Sequence, residues 1–213
     1  MKYDCIVWDF NGTIMDDVQI GIESVNVLLK KRGLKTLDSR EEYQSKFGFP
    51  IVDYYARLGF DFDKEPYSDI AVEWVNEYTA REKTARTVEG SLELLEYFQG
   101  LGVNQVIISA CEKEMLKRNT DALGVSQYFD QICGIDDIYA SSKVGIAVEW
   151  RKHNPDLKVL FIGDTDHDRD VAKAMGADCV LVAQGHQSFE ALTKYSSDAA
   201  VFKNMKELKD YLG

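Results

Sequence analysis

The chain has 213 residues, 45% hydrophobic and 29% charged, which suits a globular core domain with a modest insertion and a sizeable buried core. With 36 acidic against 25 basic residues, its net charge of −11 argues against nucleic acid and anionic membrane as partners, while a small anionic substrate held by local donors stays open. Its apolar runs are too short to span a bilayer, and the N-terminal stretch carries no signal-peptide pattern, so a cytoplasmic location is expected.

Residues 3–8 (Tyr3-Asp4-Cys5-Ile6-Val7-Trp8) read as a buried strand, and Asp9 to Thr13 as a loop centred on Asn11-Gly12. Residues 17–32 carry apolar positions at helical spacing (Ile20, Val25, Val27, Leu28, Leu29), with Asp16 placed to cap the start and Gly33 the end. From Thr36 to about Arg86 there is no strong strand pattern. Residues 41–47, 51–58 and 67–83 read as helices, with a break at Gly48-Phe49-Pro50. Residues 16–86 are therefore expected to form a helical insertion, and 1–15 with 87–213 a core.

Beyond Val88 the period changes. Helices are predicted over 90–100, 112–123, 144–153, 168–175, 188–194 and 204–212, and strands over 103–108, 158–162, 179–183 and 199–202. Strands alternating with helices at this spacing predict an α/β fold, a parallel sheet covered by helices on both faces. The four cysteines (Cys5, Cys111, Cys133, Cys179) have no CxxC spacing and lie in or beside apolar runs, so buried reduced thiols are expected; Cys111 alone lies near the site described next.

In an open α/β sheet, ligands bind beyond the carboxyl ends of the strands. Asp9 to Thr13 follow the first strand, Ser109 and Ala110 follow Val106-Ile107-Ile108, and Gly163-Asp164-Thr165-Asp166-His167-Asp168 follow Leu160-Phe161-Ile162. Lys143 opens a helix between the second and third clusters. Each part has a commonplace reading on its own: Asp9 as a turn residue, Asp166, Asp168 and Asp170 as helix-start acids, Ser109 as a loop hydroxyl, Lys143 as a solvated charge. Together they offer a carboxylate nucleophile, oxygen ligands suited to Mg²⁺, hydroxyl donors and a fixed cation, the parts that phosphoryl transfer requires.

The stretches DFNGT at 9–13, IISA at 107–110, Lys143 and GDTDHD at 163–168 resemble the four motifs of the haloacid dehalogenase superfamily, in its phosphoglycolate-phosphatase-like branch. The resemblance covers essentially the whole chain. It implies a doubly wound, Rossmann-like parallel sheet with a helical cap inserted after the first strand. It also implies a Mg²⁺-dependent phosphatase acting on a small phosphorylated metabolite, as a monomer or homodimer. By the same resemblance Asp9 is the nucleophile, and Asp9, Asp164 and the main-chain oxygen of Asn11 hold the metal, with Asp168 acting in support. Thr13, Ser109, Ala110 and Lys143 bind the phosphoryl group, and Phe47 to Pro50 is a candidate substrate loop.

One position departs from the pattern. The family's phosphatases usually place a second aspartate two residues after the nucleophile, as proton donor to the leaving group and later as base for water. Here that residue is Asn11, whose amide cannot carry a proton at neutral pH. General acid–base catalysis contributes about 10²–10⁴-fold, or roughly 3–5 kcal/mol of barrier. Three consequences are open: a slow or substrate-restricted phosphatase, a binding protein on a weakened phosphatase scaffold, or a phosphonatase-like hydrolase using a cap lysine such as Lys46 or Lys64.

Overall fold

The computed structural model describes residues 2–135, 143–194 and 197–213. The chain opens with β1 (Cys5–Trp8), whose residues are all buried, and a two-residue strand β2 (Met15–Asp16). Four helices follow: α1 (Val18–Lys31), α2 (Arg40–Lys46), α3 (Ile51–Arg57) and α4 (Tyr67–Thr79). A second two-residue strand, β3 (Arg86–Thr87), pairs antiparallel with β2, so the helical stretch leaves and returns through adjacent strands. Then come α5 (Ser91–Gly100), β4 (Asn104–Glu112), α6 (Lys113–Ala122), β5 (Gln131–Ile135) and α7 (Lys143–His153). The chain closes with β6 (Val159–Gly163), α8 (Asp166–Met175), β7 (Asp178–Val182), α9 (Phe189–Thr193), β8 (Ala200–Phe202) and α10 (Met205–Leu212).

Among the described residues the main sheet has six strands in the order β5-β4-β1-β6-β7-β8, with every neighbouring pair parallel. This is the doubly wound order. Chain direction across the sheet reverses between β1 and β6, where such sheets bind ligands. Strand periodicity sorts the core. Ile6, Trp8, Ile107, Leu160 and Ile162 face one side, packed on Leu94, Leu95 and Phe98 of α5 and Leu208 of α10. Cys5, Val7, Val106, Ile108 and Phe161 face the other, packed on Ala147 and Trp150 of α7 and Val171, Ala172 and Met175 of α8.

The helical layer has its own core. Val18, Ile22, Val25 and Leu29 recur at the spacing of one helix face and pack with Tyr43, Tyr54, Tyr55, Leu58, Phe60 and Ile70. Arg32, at the end of α1, ties the layer together with hydrogen bonds to Glu65 (2.6 and 2.5 Å) and Glu73 (2.7 Å). No helix among the described residues is long and apolar enough to cross a membrane.

Several sequence expectations shift. Asp16 belongs to β2; Asp17 takes the N-cap position of α1, without a capping hydrogen bond from its side chain. The helix expected over 67–83 ends at Thr79, followed by a single 3₁₀ turn at Glu82–Thr84. The strand expected over 103–108 runs as β4 to Glu112, with an irregular register after Ile108, so Ser109 and Ala110 lie within it. α8 begins two residues earlier than expected, because Thr165 and Asp168 form a reciprocal capping box. β5 was not expected. Gln131 and Gly134 interrupt its apolar run, and as an edge strand it is only half-buried. The β2–β3 pair was too short to leave a periodic signal.

Candidate active site

The loop after β1 is set by close backbone approach. Gly12 has φ +80°, and a Cβ built there would lie 2.4 Å from Asp164 Oδ2. The loop turns back on itself through main-chain hydrogen bonds from Ile14 (2.8 Å) and Met15 (2.9 Å) to the Phe10 carbonyl. Thr13 is thereby buried with its hydroxyl 3.2 Å from Asp9 Oδ2 and 2.9 Å from Asp164 Oδ1. The β1 and β6 pairing, with Trp8 opposite Ile162, brings Asp9 and Asp164 to the same sheet end.

Asp168 is held by its own capping box. Its Oδ2 accepts from the Asp164 and Thr165 main-chain N–H groups (3.1 and 2.9 Å) and from the Thr165 hydroxyl (2.7 Å). Its Oδ1 pairs with the Lys143 ammonium, which also pairs with Asp9 Oδ1. Lys143 is 3% exposed, so the sequence's commonplace reading of it as a solvated charge does not hold. Oxygen atoms of Asp9, Asp164 and Asp168 all lie within 4.8 Å of one another.

The electrostatics of this cluster are short of positive charge. Burial pushes the Asp9 carboxyl up to about 6 despite the opposing pull of Lys143. Burial also pushes Asp164 well above the carboxylate range, with His186 opposing and Asp9 and Asp168 adding to the rise. Asp168 resists the same burial and stays below its ordinary value, because Lys143 and Thr165 stabilise its charged form. Lys143 in turn is pushed up against burial by Asp168 and Asp9. A buried, oxygen-only donor set in which burial raises two of the three carboxyls fits a hard divalent cation such as Mg²⁺.

Ser109 is buried in β4, and its hydroxyl accepts from the Cys111 main-chain N–H at 3.0 Å. Ala110, the next residue, lines a cavity of about 230 Å³ that also touches Asn11. Phe47 and Phe49 reach the same cavity from the stretch between α2 and α3. Phe47 stacks on His186 (centroids 4.9 Å, 28°), and Phe49 on His167 (4.5 Å, 26°). Lys64 is exposed and paired with Asp61 at 2.7 Å, while Lys46 lines a separate outer cleft; neither borders the inner cavity. Burial pushes the Cys111 thiol well above its ordinary value, so the site contains no activated thiolate there.

The Asn11 side chain is engaged by Asp17 and Tyr78. Its Nδ2 donates to Asp17 Oδ2 at 2.8 Å and to the Tyr78 hydroxyl at 3.0 Å, and Tyr78 donates to the same Asp17 oxygen at 2.8 Å. On the other side of Asp17, His186 Nε2 sits 3.3 Å from Oδ1. His186 Nδ1 meets the Tyr43 hydroxyl at 2.7 Å, and its main-chain N–H donates to Asp164 Oδ2 at 2.7 Å. Burial alone would lower the His186 imidazole, but Asp17 raises it to about 9. Burial likewise opposes the Asp17 charge, and His186, Asn11 and Tyr78 together hold its carboxyl below the ordinary value.

Sequence reasoning missed Asp17, Tyr43, Tyr78 and His186. The signal for one of them was available, since His186 lies four residues past Val182, at the carboxyl end of β7.

Comparison with known proteins agrees with this geometry. The family model described as haloacid dehalogenase-like hydrolase matches residues 6–182. A relative from Caldanaerobacter subterraneus subsp. tengcongensis, named as the pyrophosphatase PpaX, is 26% identical over 206 residues, covering 93% of this chain and 90% of its own. A phosphoglycolate phosphatase of Pseudomonas fluorescens is 24% identical over 213 residues, covering 95% of this chain and 77% of its own. In fold, a haloacid dehalogenase-like hydrolase from Streptococcus pneumoniae superposes with a TM-score of 0.82 at 20% identity, over 100% of this chain and 99% of that one. The family match runs from within β1 to the end of β7 and takes in all four motif clusters, so this chain belongs to the haloacid dehalogenase-like hydrolase family.

Proposed function

We propose that the chain is a Mg²⁺-dependent phosphatase that transfers a phosphoryl group from a small ester to Asp9 and then to water. The observation that carries this is the buried Asp9, Asp164 and Asp168 cluster, with Lys143 bridging Asp9 and Asp168, at the point where the strand order reverses. The relatives named as phosphoglycolate phosphatase and pyrophosphatase support the same reaction class.

In this reading Asp9, Asp164 and the Asn11 main-chain oxygen would hold Mg²⁺, with Asp168 supporting them. The ion would supply neutralisation of charge on the phosphoryl oxygens. Lys143, the Ser109 and Thr13 hydroxyls and the Ala110 main-chain N–H would fix the phosphoryl group for in-line attack. An Asp9 oxygen attacks phosphorus, the bond to the leaving oxygen breaks with its electron pair, and an aspartyl-phosphate forms. Water then cleaves that acyl phosphate, releasing inorganic phosphate and regenerating the carboxylate. Asn11 gives no proton to the leaving group. Residues 16–86 are read as a cap over the site, with the 1–15 and 87–213 core beneath.

The test is phosphate release from a panel of esters with and without Mg²⁺, in native protein and Asp9→Asn. Turnover that requires Mg²⁺ and vanishes in the variant supports the reading; turnover that persists in the variant removes Asp9 from the nucleophile role. A second reading, a phosphate-binding protein without turnover, draws on the engagement of the Asn11 amide with Asp17 and Tyr78. Robust turnover by native protein rules it out.

A further inference from the structure

The cavity next to the candidate site restricts what can leave from phosphorus. It has a volume of about 230 Å³ and starts at Asn11 and Ala110, the residues two past Asp9 and one past Ser109. Its walls are aromatic: Phe47, Phe49, Tyr54, Trp74 and Tyr78 border it, with Trp74 stacked on Tyr78 (centroids 4.8 Å, 27°). An apolar cavity of about 150 Å³ accommodates benzene, so this one holds a substituted phenyl ring.

Its charge pattern excludes anions. Among the described residues no lysine or arginine borders the cavity, while two acidic residues, Asp17 and Glu112, do. His186 borders it as well, but is already paired with Asp17. A leaving group carrying a carboxylate or a second phosphate would be desolvated there with no lysine or arginine among the described lining residues to compensate.

Among the described residues two buried polar atoms of the lining lack a hydrogen bond: Asp17 Oδ1, which has His186 Nε2 beside it at 3.3 Å, and the Tyr54 hydroxyl. Tyr54 is 4% exposed, and its hydroxyl has no hydrogen-bond partner, whereas Tyr43 and Tyr78 are engaged with His186 and Asp17. A buried hydroxyl without a partner is a cost that a bound ligand can remove.

We infer that the substrates are aryl phosphate monoesters whose leaving group is an uncharged phenol carrying a neutral hydrogen-bonding substituent for Tyr54. This rests on the reading of Asp9 as phosphoryl acceptor. The chemistry of Asn11 agrees. Attack by Asp9 breaks the bond between phosphorus and the aryl oxygen, and the electron pair leaves on that oxygen, at the Asn11 end of the cavity, where it takes a proton from solvent, so that only the uncharged ring occupies the aromatic walls. A phenol ionises near 10, far below the 15.7 or so of water that an alkoxide approaches, so its departure needs no proton donor at residue 11.

The experiment uses the full chain with Mg²⁺ and four probes: phenyl phosphate, 4-carbamoylphenyl phosphate, phosphoglycolate and acetyl phosphate. Acetyl phosphate has a good leaving group too small to need the cavity. Aryl phosphates are expected to exceed phosphoglycolate in kcat/KM by at least about a hundredfold, within the range that pocket fit can supply. Val75→Arg, which puts a cation into the wall, is expected to lower the ratio of phenyl to acetyl phosphate kcat/KM by about tenfold. Tyr54→Phe is expected to lower the ratio of carbamoylphenyl to phenyl phosphate by about fivefold, the loss of one hydrogen bond. On native protein, 4-hydroxybenzamide is expected to compete with substrate where glycolate does not, which needs no variant to fold. Phosphoglycolate turned over as well as the aryl esters, or glycolate competing as well as the phenol, overturns the inference. If acetyl phosphate turnover depends on Asp9 but shows no aryl preference beside it, this inference falls alone. If no probe is turned over, the phosphatase reading falls with it.

Discussion

The side-chain amide of Asn11 donates to the Asp17 carboxylate at 2.8 Å, at the junction between the loop after β1 and the first helix of the helical layer. Asn11 therefore has a positive reason to be an amide. It supplies a donor to a buried carboxylate that already accepts from Tyr78 and sits beside His186. An aspartate at residue 11 would set a second carboxyl against Asp17 in place of the amide donor.

Asn11→Asp is consequently expected to destabilise the fold rather than simply restore a general acid. Two carboxylates at this separation cannot both ionise, and one is forced to retain a proton. A carboxyl raised in the folded state costs stability above its unfolded value, so the deficit grows as pH rises above about 4 and levels off about one to two units higher, at about 1–3 kcal/mol. Urea unfolding of native and variant protein across that range measures it. The paired change Asn11→Asp with Asp17→Asn keeps one carboxylate and one amide and should recover most of the loss. No recovery would mean that the two side chains are not coupled.

The ion pair between His186 and Asp17 predicts an alkaline limit. His186 rises from 6.5 to about 9 in the folded protein. A raised basic group contributes fully below its unfolded value and loses that contribution as pH climbs through the folded one. The difference in melting temperature between native protein and His186→Gln is therefore expected to be constant below pH 6.5 and to shrink between pH 7 and 10. Asp17, held low, sets the opposite limit, with its contribution lost only as pH falls through the acidic range. A difference that does not change between pH 7 and 10 would show that His186 is neutral in the fold.

The sheet and the principal cluster were legible because each left a local mark. Buried strands read as apolar runs, and Asp9, Ser109 and Asp164 stand at or near their carboxyl ends. β5 was not legible, because Gln131 and Gly134 break its run. The Asn11, Asp17, Tyr78 and His186 network was invisible for another reason: its members come from a loop, two helices and the segment after β7, and only folding brings them together. Asp17 was masked further, because an acid at a helix start already has an ordinary explanation.

The sequence places Gly12 at the centre of a loop, and the structure gives it a second task. A Cβ there would lie 2.4 Å from Asp164 Oδ2 and 2.6 Å from the His186 ring, on a backbone with φ +80°. Gly12→Ala is expected to combine backbone strain of about 1–3 kcal/mol with displacement of Asp164. The measurement is the Mg²⁺ affinity of the variant by calorimetry, which should fall more than that of Gly102→Ala. Gly102 also has positive φ, but its Cβ would meet nothing within 4 Å, so it controls for backbone strain alone.

Lys143 gives the sharpest test of how the acidic cluster is balanced. It is buried between Asp9 and Asp168, and replacing it by methionine leaves both carboxylates without their partner. Breaking a buried pair in this way costs about 3–5 kcal/mol, lessened where Asp9 takes a proton, so Lys143→Met should melt well below native protein at pH 7.5 and less so at pH 5. A divalent cation held by the same carboxylates replaces part of the missing charge. Mg²⁺ at a hundred times its dissociation constant stabilises a folded protein by about 2.7 kcal/mol. It should therefore raise the melting temperature of native protein and of Lys143→Met, but not that of Asp164→Asn. Differential scanning calorimetry with and without Mg²⁺ reads all three. An equal Mg²⁺ shift in Asp164→Asn would remove Asp164 from the ligand set, and the absence of any shift in native protein would remove the metal site itself.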